Sequence, residues 1–417
     1  MFYGWRMMAA AAVLRLLGGG LHSYGFTVFF LPLSHDLGLS RAATSLAFSL
    51  ARAEGAIEGP AVGYLLDRFG APPVMLIAVI LTGIGYVLLS SVDSYATFLL
   101  VYLGIVSLAF SGGFMHAPMV LANSWFIRRR AQAMTLISAA FSLGGALIAP
   151  LLGLVVHAWG WRSGALSAGI LFLLIGAPLC WLIRPSPESM GLLPDGDPIA
   201  GSPKPHSVGD RAVARENDWT AGQAMRSFIF WSIVIGTSVR GASYSALMAH
   251  FIPMMVWKGL PEQQAAFLLG IFAFLSMVSI FLFGWVADRI NKPQLVSAIM
   301  LLSSASMLVL IFGQSVWSLW LFTILFTFVE PTYPVSWAIV GDFFGRKHFG
   351  KIRGNMSFFY MWGSVVGPVF AGAVYDRSKS YEALLWTLIL LFVVAAVFYG
   401  SLMKPWKKVT RARALAG

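Results

Sequence analysis

The chain is written mostly in long apolar runs closed by short polar turns. A helix needs about 20 mainly apolar residues to cross a bilayer, and twelve runs qualify: roughly 5–33, 42–66, 73–91, 95–123, 133–157, 163–183, 228–256, 264–286, 294–312, 316–340, 351–375 and 382–403. The pattern predicts an all-α integral membrane protein of twelve spans.

The polar turns repeat. Gly63-Tyr-Leu-Leu-Asp67-Arg68-Phe-Gly70, after the second run, returns as Gly284-Trp-Val-Ala-Asp288-Arg289-Ile-Asn291 after the eighth, 221 positions later. Pro32 and Pro253, Gly38 and Gly259, and Pro72 and Pro293 keep that offset, while Pro118 and Pro334 differ by 216 and Pro150 and Pro368 by 218. A duplication six spans long predicts two pseudo-symmetric six-helix bundles, 1–184 and 227–403. It is the sequence mark of a secondary transporter whose substrate site lies between the halves near the bilayer midplane. Residues 185–226, rich in Pro, Gly, Ser and charge, predict a flexible linker. Residues 404–417 form a basic tail, suited to anionic headgroups or serving only as a positive stop.

Composition sharpens the reading. Of 417 residues 58% are hydrophobic and 11% charged, more apolar than a soluble globule of this size needs. The net charge of +12 would suit nucleic acid, but the basic residues are sorted by side. Twenty-one Lys and Arg fall in the termini and loops on the amino-terminal side, five (Arg41, Arg162, Lys258, Arg377 and Lys379) on the other, and Arg15, Arg52 and Arg240 in spans. That asymmetry puts both termini in the cytoplasm. Cys180 is the single cysteine, so neither a disulfide framework nor a thiolate metal cluster is expected. The opening Met1-Phe-Tyr-Gly-Trp-Arg leads into an apolar run without a small-residue cleavage site, which predicts an uncleaved first span in a cell inner membrane.

Small residues and prolines mark the working parts. Gly18, Gly19, Gly20 and Gly25 in span one, Gly144, Gly145 and Gly153 in span five, and Gly363, Gly367 and Gly372 in span eleven predict close-packed seams. Pro118 and its mate Pro334 predict bent helices. The return of Asp67–Arg68 as Asp288–Arg289 favours gate-forming contacts between helix ends over solvated turns.

These pieces resemble the major facilitator superfamily. In detail the chain is similar to its bacterial monocarboxylate-transporter-like branch, which includes oxalate/formate-type exchangers. The residues behind this are Tyr3-Gly-Trp5-Arg6, Ser23-Tyr-Gly-Phe-Thr-Val-Phe-Phe, Trp125-Phe-Ile-Arg-Arg-Arg130 and Pro187-Glu-Ser-Met-Gly191-Leu-Leu-Pro-Asp-Gly196. The resemblance implies the major facilitator fold, rocking of two halves, and a monomer. It also implies an arginine for the substrate carboxylate four residues before the glycine of the second loop copy. Here that position is Ile280, and Arg240, or else Arg52, is the substitute.

Charges inside a bilayer face a partner or a watery cavity. Six need an account: Arg15, Arg52, Glu54, Glu58, Arg240 and Glu330. Arg15 and Glu58 lie at similar depth and are expected to pair, a structural role shared with Arg52. Arg15 and His22, seven apart, are expected on one helical face. By analogy of fold, spans one, four, seven and ten line the cavity, which selects Arg15, His22, His116, Asn123, Arg240, Tyr244, Glu330, Tyr333 and Trp337. A guanidinium binds carboxylate through paired hydrogen bonds and stays charged at any relevant pH. Arg240 is therefore the expected anion ligand, with Tyr244, Asn123, Tyr333 and Trp337 around the substrate. The alternative is a plain Arg240–Glu330 ion pair. Glu330, His116, His22 and Glu54 are the proton-coupling candidates.

Gly-x-Ser-x-Gly, the Walker sequence and His-Glu-x-x-His are absent, so catalysis, cofactors and metals are not expected. The expected activity is proton-coupled symport of small organic anions, most of all monocarboxylates. An anion exchanger and a proton-driven exporter of cationic or amphipathic compounds are the competing readings, and a membrane sensor is the poorest. The expected partners are the anion, protons and the lipid bilayer, without nucleic acid.

Overall fold

The computed structural model describes residues 2–39, 41–196 and 218–407. Residues 197–217 of the linker and 408–417 of the basic tail lie outside the described residues. Every regular element among those described is helical.

Contacts divide the chain into two compact units, Met1–Gly201 with Arg346–Asn355, and Ser202–Gly345 with Met356–Gly417. Eight stretches are long and apolar enough to cross a membrane. One of them, Arg130–Leu182, holds two predicted spans. Tyr3–Asp36, Arg41–Phe69 and Phe228–Trp257 complete the twelve. They escape a plain hydropathy criterion because they are interrupted or carry the intramembrane charges, which is also why they matter.

In the first unit, α1 (Tyr3–Leu17) passes through a π-helical turn, Gly18–Ser23, into α2 (Gly25–Asp36). Next come α3 (Arg41–Phe69) and α4 (Ala71–Leu89). The fourth span is assembled from α5 (Tyr95–Val101), α6 (Leu108–Phe110) and α7 (Ala117–Trp125), joined by π-helical Tyr102–Ser107 and Ser111–His116. Helix α8 (Arg130–Leu171) contains the fifth span and most of the sixth, broken at Gly160 where φ is +82°. A π-helical turn and α9 (Ala177–Leu182) finish the sixth.

In the second unit, α10 (Ala221–Met225) precedes α11 (Phe228–Ala249) and α12 (Phe251–Trp257), which together make the seventh span. Helices α13 (Glu262–Ala287) and α14 (Lys292–Phe312) are the eighth and ninth. The tenth is α15 (Val316–Phe326), a 3₁₀ turn at Thr327–Val329, and α16 (Thr332–Phe344). Helix α17 (Phe349–Ser378), whose first turns belong to the first unit, and α18 (Glu382–Ser401) close the chain.

The repeat is visible in the geometry. Gly38 and Gly259, mates at the turn after spans one and seven, both have positive φ, 59° and 93°, which an L side chain resists. The glycine seams bring backbones together. A Cβ on Gly144 would stand 2.0 Å from the Leu16 carbonyl oxygen, and one on Gly19 2.2 Å from that of Phe141. In span eleven, a Cβ on Gly363 or Gly367 would stand 2.3 Å from the Ser238 or the Ala242 carbonyl oxygen. Thus span one lies on span five as span seven lies on span eleven. A third seam sets Gly59 and Gly63 of α3 against Gly354 and Gly350, at 2.1 and 2.3 Å.

Each proline bend comes with a change of helix type. The π turn Ser111–His116 precedes Pro118, and the 3₁₀ turn Thr327–Val329 precedes Pro331 and Pro334, as expected where the i→i+4 ladder is interrupted.

The face opposite the Asp67 loop is clamped differently in each unit. Arg162 bonds the Asp36 carboxylate and, at 2.9 Å, the Val92 carbonyl, with Asp93 at 3.5 Å. Trp161 Nε1 also donates to Asp36, at 3.0 Å. In the second unit Lys258 Nζ donates to the carbonyls of Ile311 and Gly313, at 2.9 and 3.3 Å.

Candidate functional site

The sequence puts two arginines at cavity-lining positions, and their surroundings differ. Arg15 on α1 is 3% exposed. Its Nη1 donates to the Phe114 carbonyl at 2.8 Å and approaches Met115 Sδ at 2.9 Å, and its guanidinium lies 4.4 Å from the Phe141 ring centre. Arg240 on α11 is 6% exposed and makes no hydrogen bond or ion pair with any described residue. Its guanidinium carbon stands 5.5 Å from the centre of the Tyr333 ring.

Around Arg240 the second unit supplies the rest. Glu330 follows the 3₁₀ turn of span ten and accepts a hydrogen bond from the Tyr244 hydroxyl. Tyr244 and Arg240 share a helical face at i, i+4, so the hydroxyl that holds the carboxylate and the guanidinium that acts on it electrostatically come from one helix. Tyr333 meets Trp337 edge-on at 6.1 Å, Trp337 meets Tyr360 at 5.7 Å, and Phe326 stacks on Tyr244 at 6.3 Å. Beyond them a small cavity of about 10 Å³ is lined by Ile233, Val234, Thr237, Ser336, Trp337, Met356 and Tyr360. Arg240, Tyr244, Glu330, Tyr333 and Trp337, selected from sequence, are thus brought together. Ile280, at the position of the implied arginine, is a buried apolar residue.

One group escaped the sequence reading. The buried Tyr399 hydroxyl on α18 bridges Thr237 Oγ1 at 2.8 Å and Ser336 Oγ at 2.7 Å, tying α11, α16 and α18 beside Arg240. Thr237 stands one turn from Arg240 in sequence, a signal that was present, but nothing local points to Tyr399.

The first unit holds the other candidates apart from this group. The expected Arg15–Glu58 pair is not formed: Arg15 is spent on Phe114 and Met115, and both Glu58 oxygens are buried without a hydrogen-bond partner. Glu54, one turn earlier, is half-buried, and Arg52 is exposed. Between Arg15 and His22 runs the π turn Gly18–Ser23. His22 stacks on Phe110 at 4.0 Å, with Nδ1 3.0 Å from the Tyr86 hydroxyl. His116 is buried at the end of the second π turn with Nδ1 unbonded, and Asn123 is fully buried on α7.

The two loop copies also differ. Asp67 Oδ1 accepts from the Gly350 amide at 2.8 Å and Oδ2 from that of Lys351 at 3.0 Å. Those are the first turn of α17, where amides lack helical partners and the dipole favours an anion. Arg68 donates to the Tyr64 hydroxyl at 3.0 Å. Asp288 is instead 3.3 Å from Lys292 Nζ, which also meets Asp342 at 2.8 Å, all three nearly fully buried. Arg289 stacks on Trp285 at 3.5 Å.

The family model described as Major Facilitator Superfamily matches residues 8–258 and 233–416. Monocarboxylate transporter 3 of Rattus norvegicus is 26% identical over 412 residues, 95% of this chain and 79% of that protein. The oxalate:formate antiporter of Oxalobacter formigenes is 22% identical over 303 residues, 71% of this chain and 66% of that protein. The crystal structure of the Major Facilitator Superfamily transporter FucP in the outward conformation superposes with a TM-score of 0.70 at 16% identity, covering 94% of this chain and 97% of that one.

Proposed function

The chain belongs to the Major Facilitator Superfamily and is a multi-pass membrane transporter, not an enzyme, and from that premise we propose that it carries small organic anions, monocarboxylates foremost, by proton-coupled symport and alternating access. The observation that carries this reading is Arg240, a permanent cation buried without a hydrogen bond or ion pair among the described residues. A lone charge at mid-bilayer costs roughly 2.5–3.5 kcal/mol even on the lenient insertion scale, which a substrate carboxylate offsets by paired hydrogen bonds.

Glu330, held by Tyr244, is the proton carrier: protonated, it ceases to compete for Arg240 and the substrate carboxylate takes its place. Tyr333 and Trp337 wall the site. His116 and Glu54 come next as proton sites, whereas the cage of Phe110 and Tyr86 makes His22 a packing residue. We assign the protein to a cell inner membrane as a monomer, with both termini cytoplasmic. The named substrates of the two curated relatives support the anion class.

Binding tests the site. In titrations with pyruvate, lactate and oxalate, Arg240→Ala is expected to weaken binding about 100-fold, the equivalent of roughly 2.7 kcal/mol, and Arg240→Lys to recover part of it. Undiminished binding by folded Arg240→Ala protein overturns the assignment. A second reading, exchange of one organic anion for another, is favoured by Arg240 itself, whose charge no proton removes and which therefore calls for an anion in both directions.

A further inference from the structure

The stretch after span six, singled out in the sequence as Pro187-Glu-Ser-Met-Gly191-Leu-Leu-Pro-Asp-Gly196, folds back on the first unit as two 3₁₀ turns, Glu188–Met190 and Pro194–Gly196. This part of the predicted linker is not a loose tether. Asp195, its side chain 4% exposed, turns Oδ2 onto the amides of Ile127 and Arg128 at 3.0 and 2.8 Å, and Oδ1 onto that of Arg129 at 3.4 Å. Three successive N–H groups leading into α8 therefore converge on one carboxylate, a backbone nest for an anion. Asp195 adopts the left-handed conformation, φ 59°, to reach them. At the other end of the stretch, Glu188 Oε1 accepts from Arg346 Nη2 at 2.8 Å, and Arg346 Nη1 donates to the Ser124 carbonyl at 2.7 Å.

Helices α8 and α17 are mates in the repeat, as Pro150 and Pro368 show, and both begin at a carboxylate brought from elsewhere, Asp195 for α8 and Asp67 for α17. By the repeat, the mate of Asp67 is Asp288, which lies 3.3 Å from Lys292 Nζ. Arg346 stands three residues before α17 and bonds both the Glu188 end of the stretch and the carbonyl of Ser124, three residues before Ile127. One connected set of bonds thus runs from the start of α8 to the start of α17.

We propose that Pro187–Gly196 is a strap, anchored by Asp195, that makes the amino-terminal ends of α8 and α17 depend on each other, so that releasing one loosens the other. That a strap at this face matters to function rests on the transport reading; that it couples two helix ends does not.

Amide hydrogen exchange in nanodiscs tests the coupling without any substrate. In Asp195→Ala, exchange is expected to rise about tenfold or more at residues 127–129 and also at Gly350 and Lys351. Asp195→Asn, which keeps an acceptor oxygen, should show a smaller rise at both places, and it serves if the alanine variant does not fold. Faster exchange confined to 127–129 would reduce Asp195 to a local cap and overturn the proposal, as would no change there. Counterflow of labelled pyruvate run beside it reports separately: a wild type that carries none speaks against the transport reading while exchange still decides on the strap.

Discussion

Arg15 and Arg240 look alike in sequence, each a lone basic residue in a cavity-lining span. What separates them is a carbonyl, a thioether and a ring contributed from about 100 residues away. No local pattern reports that, so the sequence could group Arg240 with Tyr244 by helical spacing, and Glu330 with Tyr333 and Trp337, and prefer Arg240 as the anion ligand, but could not show what engages Arg15. The Arg15–Glu58 pair failed for a related reason: similar depth does not fix azimuth, and Arg15 turns to Phe114 and Met115 instead. Glu330 carries the sharpest expectation at this scale. Glu330→Gln, a permanent mimic of the protonated acid, is expected to abolish the pH dependence of uptake while leaving pyruvate exchange within about threefold of wild type. Unchanged proton dependence in that variant would remove Glu330 from the coupling.

Elements were easier to read than contacts. The glycine seams were legible because small residues recur in mates, and the backbones do meet there. Since a Cβ at Gly144 or Gly363 would fall within 2.3 Å of a carbonyl oxygen, leucine at either position should destabilise its own bundle by about 1–3 kcal/mol or more, read as a lowered melting temperature. A Tm equal to that of wild type in both variants would refute the seam. The Arg162 clamp was not legible, since its partners come from two other turns. Its hydrogen bond, then that of Trp161, holds the Asp36 carboxyl below the usual aspartate range. A depressed acid adds stability that is complete above its unfolded value and is lost as pH falls through the folded one. Asp36→Asn should therefore lower Tm at pH 7, by the small amount expected of an exposed pair, and the difference should shrink as pH falls below the ordinary aspartate range. The strap was hidden for a different reason: its Pro, Gly and Ser content reads as linker, and the amides that order it lie 66–68 residues earlier.

For the whole molecule, the duplication was the most legible feature, because repeat offsets survive where side-chain contacts diverge. The fold follows from it. The symmetry is real in the backbone, in the paired turns at Gly38 and Gly259 and in the paired seams, and is broken in the chemistry. The unpartnered cation and its neighbouring carboxylate sit in the second unit, while the first spends its arginine on packing. The central claim is that this lone cation receives a carboxylate that travels with a proton. Its most direct test is uptake of labelled pyruvate, lactate and larger carboxylates into proteoliposomes, with and without an imposed inward proton gradient, comparing wild type with Arg240→Ala. The account predicts gradient-driven accumulation by wild type that the variant loses. Accumulation of no acid by folded wild-type protein, or accumulation that survives Arg240→Ala, would contradict it.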